Sequence, residues 1–182
     1  MKIHAMQCLI NLYSLPEMVL YAQNLLEEAI KHMSATFNQF LESLTQPNFK
    51  LNVDMLICSF HLIANLISES KEVAITILNR VNLVEVMWQA SENQVCSSKM
   101  LGTLVWLAGQ IMRTNQKDDA NVYGLKPKDK MKLCQIGRKA LQAIDDNIIA
   151  DGCWLLSYAL KTSDETFIAE VCNSMTVSCL VR

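Results

Sequence analysis

Apolar residues recur three and four positions apart along most of the chain, and polar residues fill the positions between them. This spacing collects the apolar side chains on one face of an α-helix. It also predicts two short helices, which Ser70 and Ser163 would cap with their hydroxyl oxygens. No segment shows the alternation of a half-buried strand, so we expect an all-α protein. The clearest helices are predicted over residues 16–32, 52–68, 97–113, 130–143 and 147–161.

The predicted helices repeat along the chain. The sequence LVWLAGQIMR aligns with DGCWLLSYALK when Trp106 is placed over Trp154, an offset of 48 residues. CSFHLIANLIS joins this alignment with His61 in the tryptophan position, 45 residues before Trp106. Helical repeats of this length are typical of armadillo and HEAT arrays. The sequence therefore predicts a short α-solenoid of either kind, a single array of about four stacked repeats, some of them partial, at approximately 1–50, 51–96, 97–143 and 144–182.

Composition supports a globular helical protein. Of the 182 residues 51% are hydrophobic and 19% are charged, which is too apolar for a disordered chain. Only 5 Gly and 3 Pro are present, few for the turns of an all-β protein. The net charge is −2, so counterion release cannot be the main source of any affinity for nucleic acid. We expect no nucleic-acid partner.

Neither a membrane span nor a secretory signal is predicted. The longest apolar stretch, Met55–Ile67, contains polar residues and is shorter than the roughly 20 residues that cross a bilayer, so we expect a buried helix. His4 and Gln7 interrupt the N-terminal segment where a signal peptide would be apolar. The 7 cysteines include no C-x-x-C pair and predict reduced thiols packed as small hydrophobes. These features predict an intracellular protein without membrane contact.

One long polar connection is predicted over residues 114–132. Its KPKDKMK run could be a nuclear localisation signal or a self-inhibitory peptide, but Asp129 interrupts the positive charge. We favour a solvated loop.

No catalytic or metal-binding constellation is apparent. The three histidines are far apart in sequence, and no zinc-ligand spacing, phosphate-binding glycine motif or nucleophile elbow occurs. Acidic pairs such as Glu27 and Glu28 are adjacent, so a helix would point them in different directions. We therefore predict no enzyme activity, no catalytic residue, no metal and no cofactor. An all-helical enzyme stays the third hypothesis.

Two aromatic residues are each followed four positions later by a hydrogen-bonding group: Trp106 by Gln110, and Trp154 by Tyr158. A spacing of four places both members on one helix face. On successive parallel helices such pairs would form indole walls, between which a lysine or arginine side chain can lie. The alternative is that each tryptophan fills the core.

These residues carry a resemblance to a known family. GTLVWLAGQIMR (102–113), ADGCWLLSYALK (150–161) and the later FIAEVCNSMTVSCLV resemble armadillo repeats of importin alpha, the adaptor for cargo bearing nuclear localisation signals. The similarity covers about residues 52–182. It implies an armadillo-type α-solenoid, a right-handed superhelix. It also implies that Trp106 and Trp154 form the walls of lysine slots and that neighbouring side chains hold the peptide. By this resemblance the peptide backbone would be held by Asn65, Gln110 and Tyr158, and its positive charge would be balanced by Glu69 and Asp151. Arg113 coincides with a further position of the family pattern.

The chain also departs from the family pattern. His61 replaces one slot tryptophan, Gln110 replaces an asparagine, and Lys161 lies near a position that is acidic in the family. The resemblance implies location in cytoplasm and nucleus, and importin beta as a partner, although the basic segment that binds importin beta is not recognisable. The first hypothesis is thus a module that binds nuclear localisation signals on its concave face. The second is a diverged armadillo or HEAT scaffold that binds proteins without reading such signals.

Overall fold

The computed structural model describes residues 22–45, 52–69, 71–94, 96–115, 124–161 and 164–172. Across these ranges the regular secondary structure is helical, and no strand is present. The all-α prediction is confirmed. The helices are α1 (Ala22–Ser43), α2 (Val53–Glu69), α3 (Lys71–Arg80), α4 (Leu83–Glu92), α5 (Ser98–Asn115), α6 (Pro127–Ala140), α7 (Asp146–Lys161) and α8 (Glu165–Val171).

Three of the predicted long helices coincide with α2, α5 and α7 to within two residues at each end. The helix predicted over 16–32 is wrong about its end, because α1 continues to Ser43. Met33, Phe37 and Phe40 are buried and extend the apolar face of α1 by two further turns. The start of that prediction lies outside the described residues.

The predicted loop over 114–132 is wrong at both ends. Helix α5 runs to Asn115, and α6 begins at Pro127, a residue favoured at the first helical position. The Asp129 carboxylate accepts a hydrogen bond from the backbone N–H of Lys126 at 3.4 Å, which stabilises this start. Most of the KPKDKMK run is therefore helical. Residues 116–123 lie outside the described part.

The cap of α8 also differs from the prediction. The N-cap of α8 is Asp164, whose carboxylate accepts from the backbone N–H of Phe167 at 2.8 Å. An ionised carboxylate caps a helix as a serine hydroxyl does and adds favourable charge at the N-terminus. Ser163 and Ser70, the predicted caps, lie outside the described residues.

The chain divides into two compact units, residues 1–86 and 87–182. In the first unit α2 packs against α1 and α3. Within this core the ring centroids of Phe37 and Phe60 lie 5.3 Å apart, and most of Met55–Ile67 is buried, as predicted. At its surface Arg80 Nη1 donates to Glu27 Oε1 at 2.5 Å.

In the second unit α5, α6 and α7 pack against one another. Helices α6 and α7 approach closely at Gly152. A Cβ atom there would lie 2.9 Å from the Cβ of Ala140 and 3.0 Å from the carbonyl oxygen of Gly137. Glycine thus allows the two backbones to come together, and Leu155 and Leu156 seal the contact from the α7 side.

The cysteines that the structure describes are free thiols, but they are not all buried. Cys58 and Cys134 are buried, in agreement with the prediction of small hydrophobes. Cys153 and Cys172 are exposed, so that interpretation is wrong for them. Burial raises the pKa of the Cys134 thiol to about 12, which keeps it protonated at neutral pH.

Candidate peptide-binding groove

Helices α5 and α7 lie side by side, and their outer faces line a groove of about 240 Å³. We call it the tryptophan groove. Helix α5 contributes side chains spaced three and four residues apart, as does α7, so each helix presents one face. The lining residues are Val105, Trp106, Gly109, Gln110, Arg113, Asp151, Trp154 and Tyr158.

The opposite faces of the same helices explain this orientation. On α5 the buried face includes Leu104 and Ala108, and on α7 it includes Leu155 and Ala159. Burial of these apolar side chains fixes the rotation of each helix. The polar and aromatic faces are consequently turned toward the groove.

The two tryptophans line the groove to different degrees. Trp154 is 61% exposed, and its ring stacks on Tyr158 with the centroids 6.0 Å apart and an interplanar angle of 26°. The core-filling alternative is therefore wrong for Trp154. Trp106 is half-buried, so part of its ring lies against the fold and part faces the groove. Together the rings give the groove a broad aromatic surface.

The groove contains one carboxylate and one guanidinium. Arg113 Nη2 donates to Gln110 Oε1 at 2.6 Å, so the Gln110 amide would meet a ligand through its N–H donors. Asp151 is half-buried, and burial raises the pKa of its carboxyl above the ordinary value. A cation beside Asp151 would reverse that shift, because it favours the ionised carboxylate.

Six of the eight predicted site residues line this groove: Trp106, Gln110, Arg113, Asp151, Trp154 and Tyr158. The other two belong to α2 of the first unit. Asn65 is half-buried there, and Glu69 is the last residue of that helix, with its side chain outside the described part. Lys161 is exposed at the last position of α7, three residues beyond Tyr158.

Sequence reasoning missed Val105 and Gly109. Gly109 follows Trp106 by three residues and is on the same helix face, which is the signal that could have identified it. A Cβ atom at Gly109 would meet no atom within 4 Å, so this position borders open space. The glycine therefore leaves space in the lining of the groove that a larger side chain would fill.

In the part of the chain that the structure describes, no group of three or more His, Cys, Asp or Glu side chains is placed to hold a metal ion. None of the described helices is long and apolar enough to cross a membrane. In comparisons with known proteins, the chain matches no family model, no curated protein and no solved structure. The importin alpha resemblance accordingly stays a prediction from the sequence.

Proposed function

We propose that the chain is an armadillo-type α-solenoid module that binds extended basic peptides, such as nuclear localisation signals, in the tryptophan groove. It would serve as a non-enzymatic nuclear import adaptor in cytoplasm and nucleus. The observation that carries the proposal is that Trp106 and Trp154, from two neighbouring helices, line one groove open to solvent.

Helix spacing supports the solenoid part of the proposal. Helices α2, α5 and α7 begin 45 and 48 residues apart, which equals the offsets of the sequence alignment. His61, Trp106 and Trp154 are each the ninth residue of their helix. A recurring unit of this length suits an armadillo array, in which each repeat buries its apolar face against the next.

The chemistry of the groove suits a lysine or arginine side chain. The methylene groups can pack between the indole faces, while the cation lies near the rings and the Asp151 carboxylate. Tyr158 and Gln110 can bond the peptide backbone through the phenol and the amide N–H groups. The indole rings are rigid, so they offer contact area to the peptide without the entropy cost of ordering a flexible side chain. We therefore expect them to contribute much of the affinity.

Titration of a fluorescein-labelled lysine-rich peptide at low ionic strength tests the proposal. Trp106→Ala and Trp154→Ala should each weaken binding by at least ~1 kcal/mol, as expected for aromatic residues at the centre of an interface. Trp154 is the safer site because its ring is mostly exposed, so truncation leaves the core intact. Trp88→Ala removes the third indole, which is outside this groove, and should leave the affinity unchanged. If the unmodified protein does not bind the peptide, the proposal is wrong.

One observation favours the second candidate, a scaffold for a folded partner. The Arg113 guanidinium places a positive charge in the groove and occupies the Gln110 carbonyl oxygen, and both features oppose a basic ligand. A scaffold of this kind would keep its partner after both groove tryptophans are replaced by alanine. Co-precipitation with the double variant, checked for folding by circular dichroism, separates the two candidates.

A further inference from the structure

Three aromatic side chains line the tryptophan groove: Trp106 from α5, and Trp154 and Tyr158 from α7. The Trp154 and Tyr158 rings are stacked with an interplanar angle of 26°, so together they form one aromatic wall on α7. Trp154 is mostly exposed, and the other two rings are half-buried. A cation that enters this groove therefore meets aromatic side chains from both helices.

The groove is less well equipped for the N–H groups of an ordinary lysine. A lysine ammonium has three N–H donors, and each of them needs an acceptor when it leaves water. The side-chain acceptors in the lining are the Gln110 amide oxygen, the Asp151 carboxylate and the Tyr158 phenol. The Gln110 oxygen already accepts from Arg113 Nη2 at 2.6 Å. Pairing of the three donors thus depends mainly on one carboxylate and one phenol.

We propose that the tryptophan groove selects a trimethylated lysine in the peptide that it binds. The inference rests on the proposed function and adds the chemical class of the side chain that is recognised. A trimethylammonium group keeps the positive charge of lysine but has no N–H donor to satisfy. Its methyl groups can pack on the aromatic faces, while the charge is attracted by the electrons of the rings, most strongly by those of tryptophan.

The remaining lining of the groove suits the same ligand. Asp151 is half-buried and lies three residues before Trp154 on the same face of α7, so its carboxylate can attract the cation that the rings hold. Gly109 contributes no side chain, and a Cβ atom there would meet no atom within 4 Å. The groove volume of about 240 Å³ is several times the roughly 30 Å³ that a water molecule occupies in the liquid, which leaves room for three methyl groups.

The Arg113 guanidinium in the lining repels any cationic ligand. Methylation leaves the charge of lysine unchanged, so this repulsion is common to a lysine and a trimethyllysine at the same position. The preference between the two is therefore decided by the aromatic rings and by the supply of acceptors.

Three forms of the fluorescein-labelled lysine-rich peptide test the proposal. One is unmodified, one has a central trimethyllysine, and in one a tert-butyl group replaces the trimethylammonium, which keeps the shape and removes the charge. The trimethylated form should bind about tenfold more tightly than each of the other two. Equal affinity of the trimethylated and tert-butyl forms would overturn the proposal, because apolar contact alone would then explain binding. An unmodified form that binds as tightly as the trimethylated form would also overturn it.

Matched variants locate the selectivity. Trp154→Leu keeps an apolar side chain at an exposed position but removes the ring, so the trimethylated form should lose most of its advantage over the tert-butyl form. Trp88→Leu removes an indole that does not line this groove and should preserve the full advantage. Circular dichroism checks that both variants are folded. Equal effects of the two substitutions would contradict a site in the tryptophan groove.

The inference and the proposed function can fail separately. If the unmodified peptide binds and trimethylation brings no gain, the proposed function stands and the selectivity is wrong. If only the trimethylated form binds, the selectivity is supported and the groove does not read unmodified signals. If none of the forms binds, both proposals are wrong.

Discussion

The close approach of α6 and α7 gives a sharp prediction for Gly152→Ala. The new methyl group would lie 2.9 Å from the Cβ of Ala140 and 3.0 Å from the carbonyl oxygen of Gly137. Both are atoms that no side-chain rotation can move away. The two helices must therefore separate, and the buried side chains around them must repack.

The magnitude follows from two opposing effects. Replacing glycine by alanine inside a helix stabilises it by about 0.8–1.0 kcal/mol through backbone entropy and exposure. Overpacking a well-packed contact costs about 1–3 kcal/mol. Gly109→Ala is the matched control in α5, because its methyl group would meet no atom within 4 Å. Since the helix contribution is common to both variants, the difference in their unfolding free energies should be about 1–3 kcal/mol, the overpacking cost alone.

Urea unfolding followed by tryptophan fluorescence measures this difference. All three tryptophans belong to residues 87–182, so the signal reports on the unit that contains both substitutions. Gly109→Ala should raise the midpoint and Gly152→Ala should lower it, with unchanged slopes. Equal midpoints for the two variants would show that the contact between α6 and α7 has room for a methyl group at position 152.

Three further predictions concern titrating groups. Affinity for the lysine-rich peptide should rise as the pH increases through the raised pKa of Asp151, because a lysine of the peptide is attracted only to the ionised carboxylate. In the fluorescence titration, Asp151→Asn should remove this dependence of affinity on pH. The hydrogen bonds that Thr166 and Phe167 donate lower the pKa of the exposed Asp164 carboxyl, so capping of α8 should persist through mildly acidic pH and be lost only as the pH falls through that lowered pKa. Hydrogen exchange of the Phe167 amide as a function of pH measures the loss of the cap. If Asp164→Ala leaves this exchange profile unchanged, Asp164 is not the group that caps the helix. Iodoacetamide should alkylate Cys153 and Cys172 in the native protein but reach Cys134 only after unfolding, since the Cys134 thiol is buried and its pKa is raised to about 12. Peptide mass spectrometry of the folded protein should detect no alkylated Cys134.

Most of the helices could be predicted from the sequence, because a helix with one buried face has apolar residues that recur every three or four positions. The regular three-and-four spacing around Leu104 and Leu155 defined α5 and α7 nearly to the residue. The extent of α1 was missed because its stripe continues through Thr36, Phe37 and Phe40 with polar residues between them. The start of α6 was missed because four lysines look like a solvated loop, although proline at the first position is a helix signal.

The groove residues were only partly predictable. Spacing placed Trp106 beside Gln110 and Trp154 beside Tyr158, since helix geometry alone determines those pairs. Spacing could not say that Trp154 is mostly exposed or that Arg113 bonds to Gln110, because both depend on how α7 packs and on side-chain rotamers. The cavity that Trp88 lines together with residues of α6 could not be predicted from spacing, because these residues are about 50 positions apart in the sequence.

The ninth position of α7 has a consequence for how ligand preference can change. Trp154 contributes little to the interior, which Leu155 and Leu156 complete without it. A mutation at this site therefore alters the chemistry of the groove surface while leaving the buried core in place. Natural variation and protein engineering can retune such a position without first redesigning the protein around it.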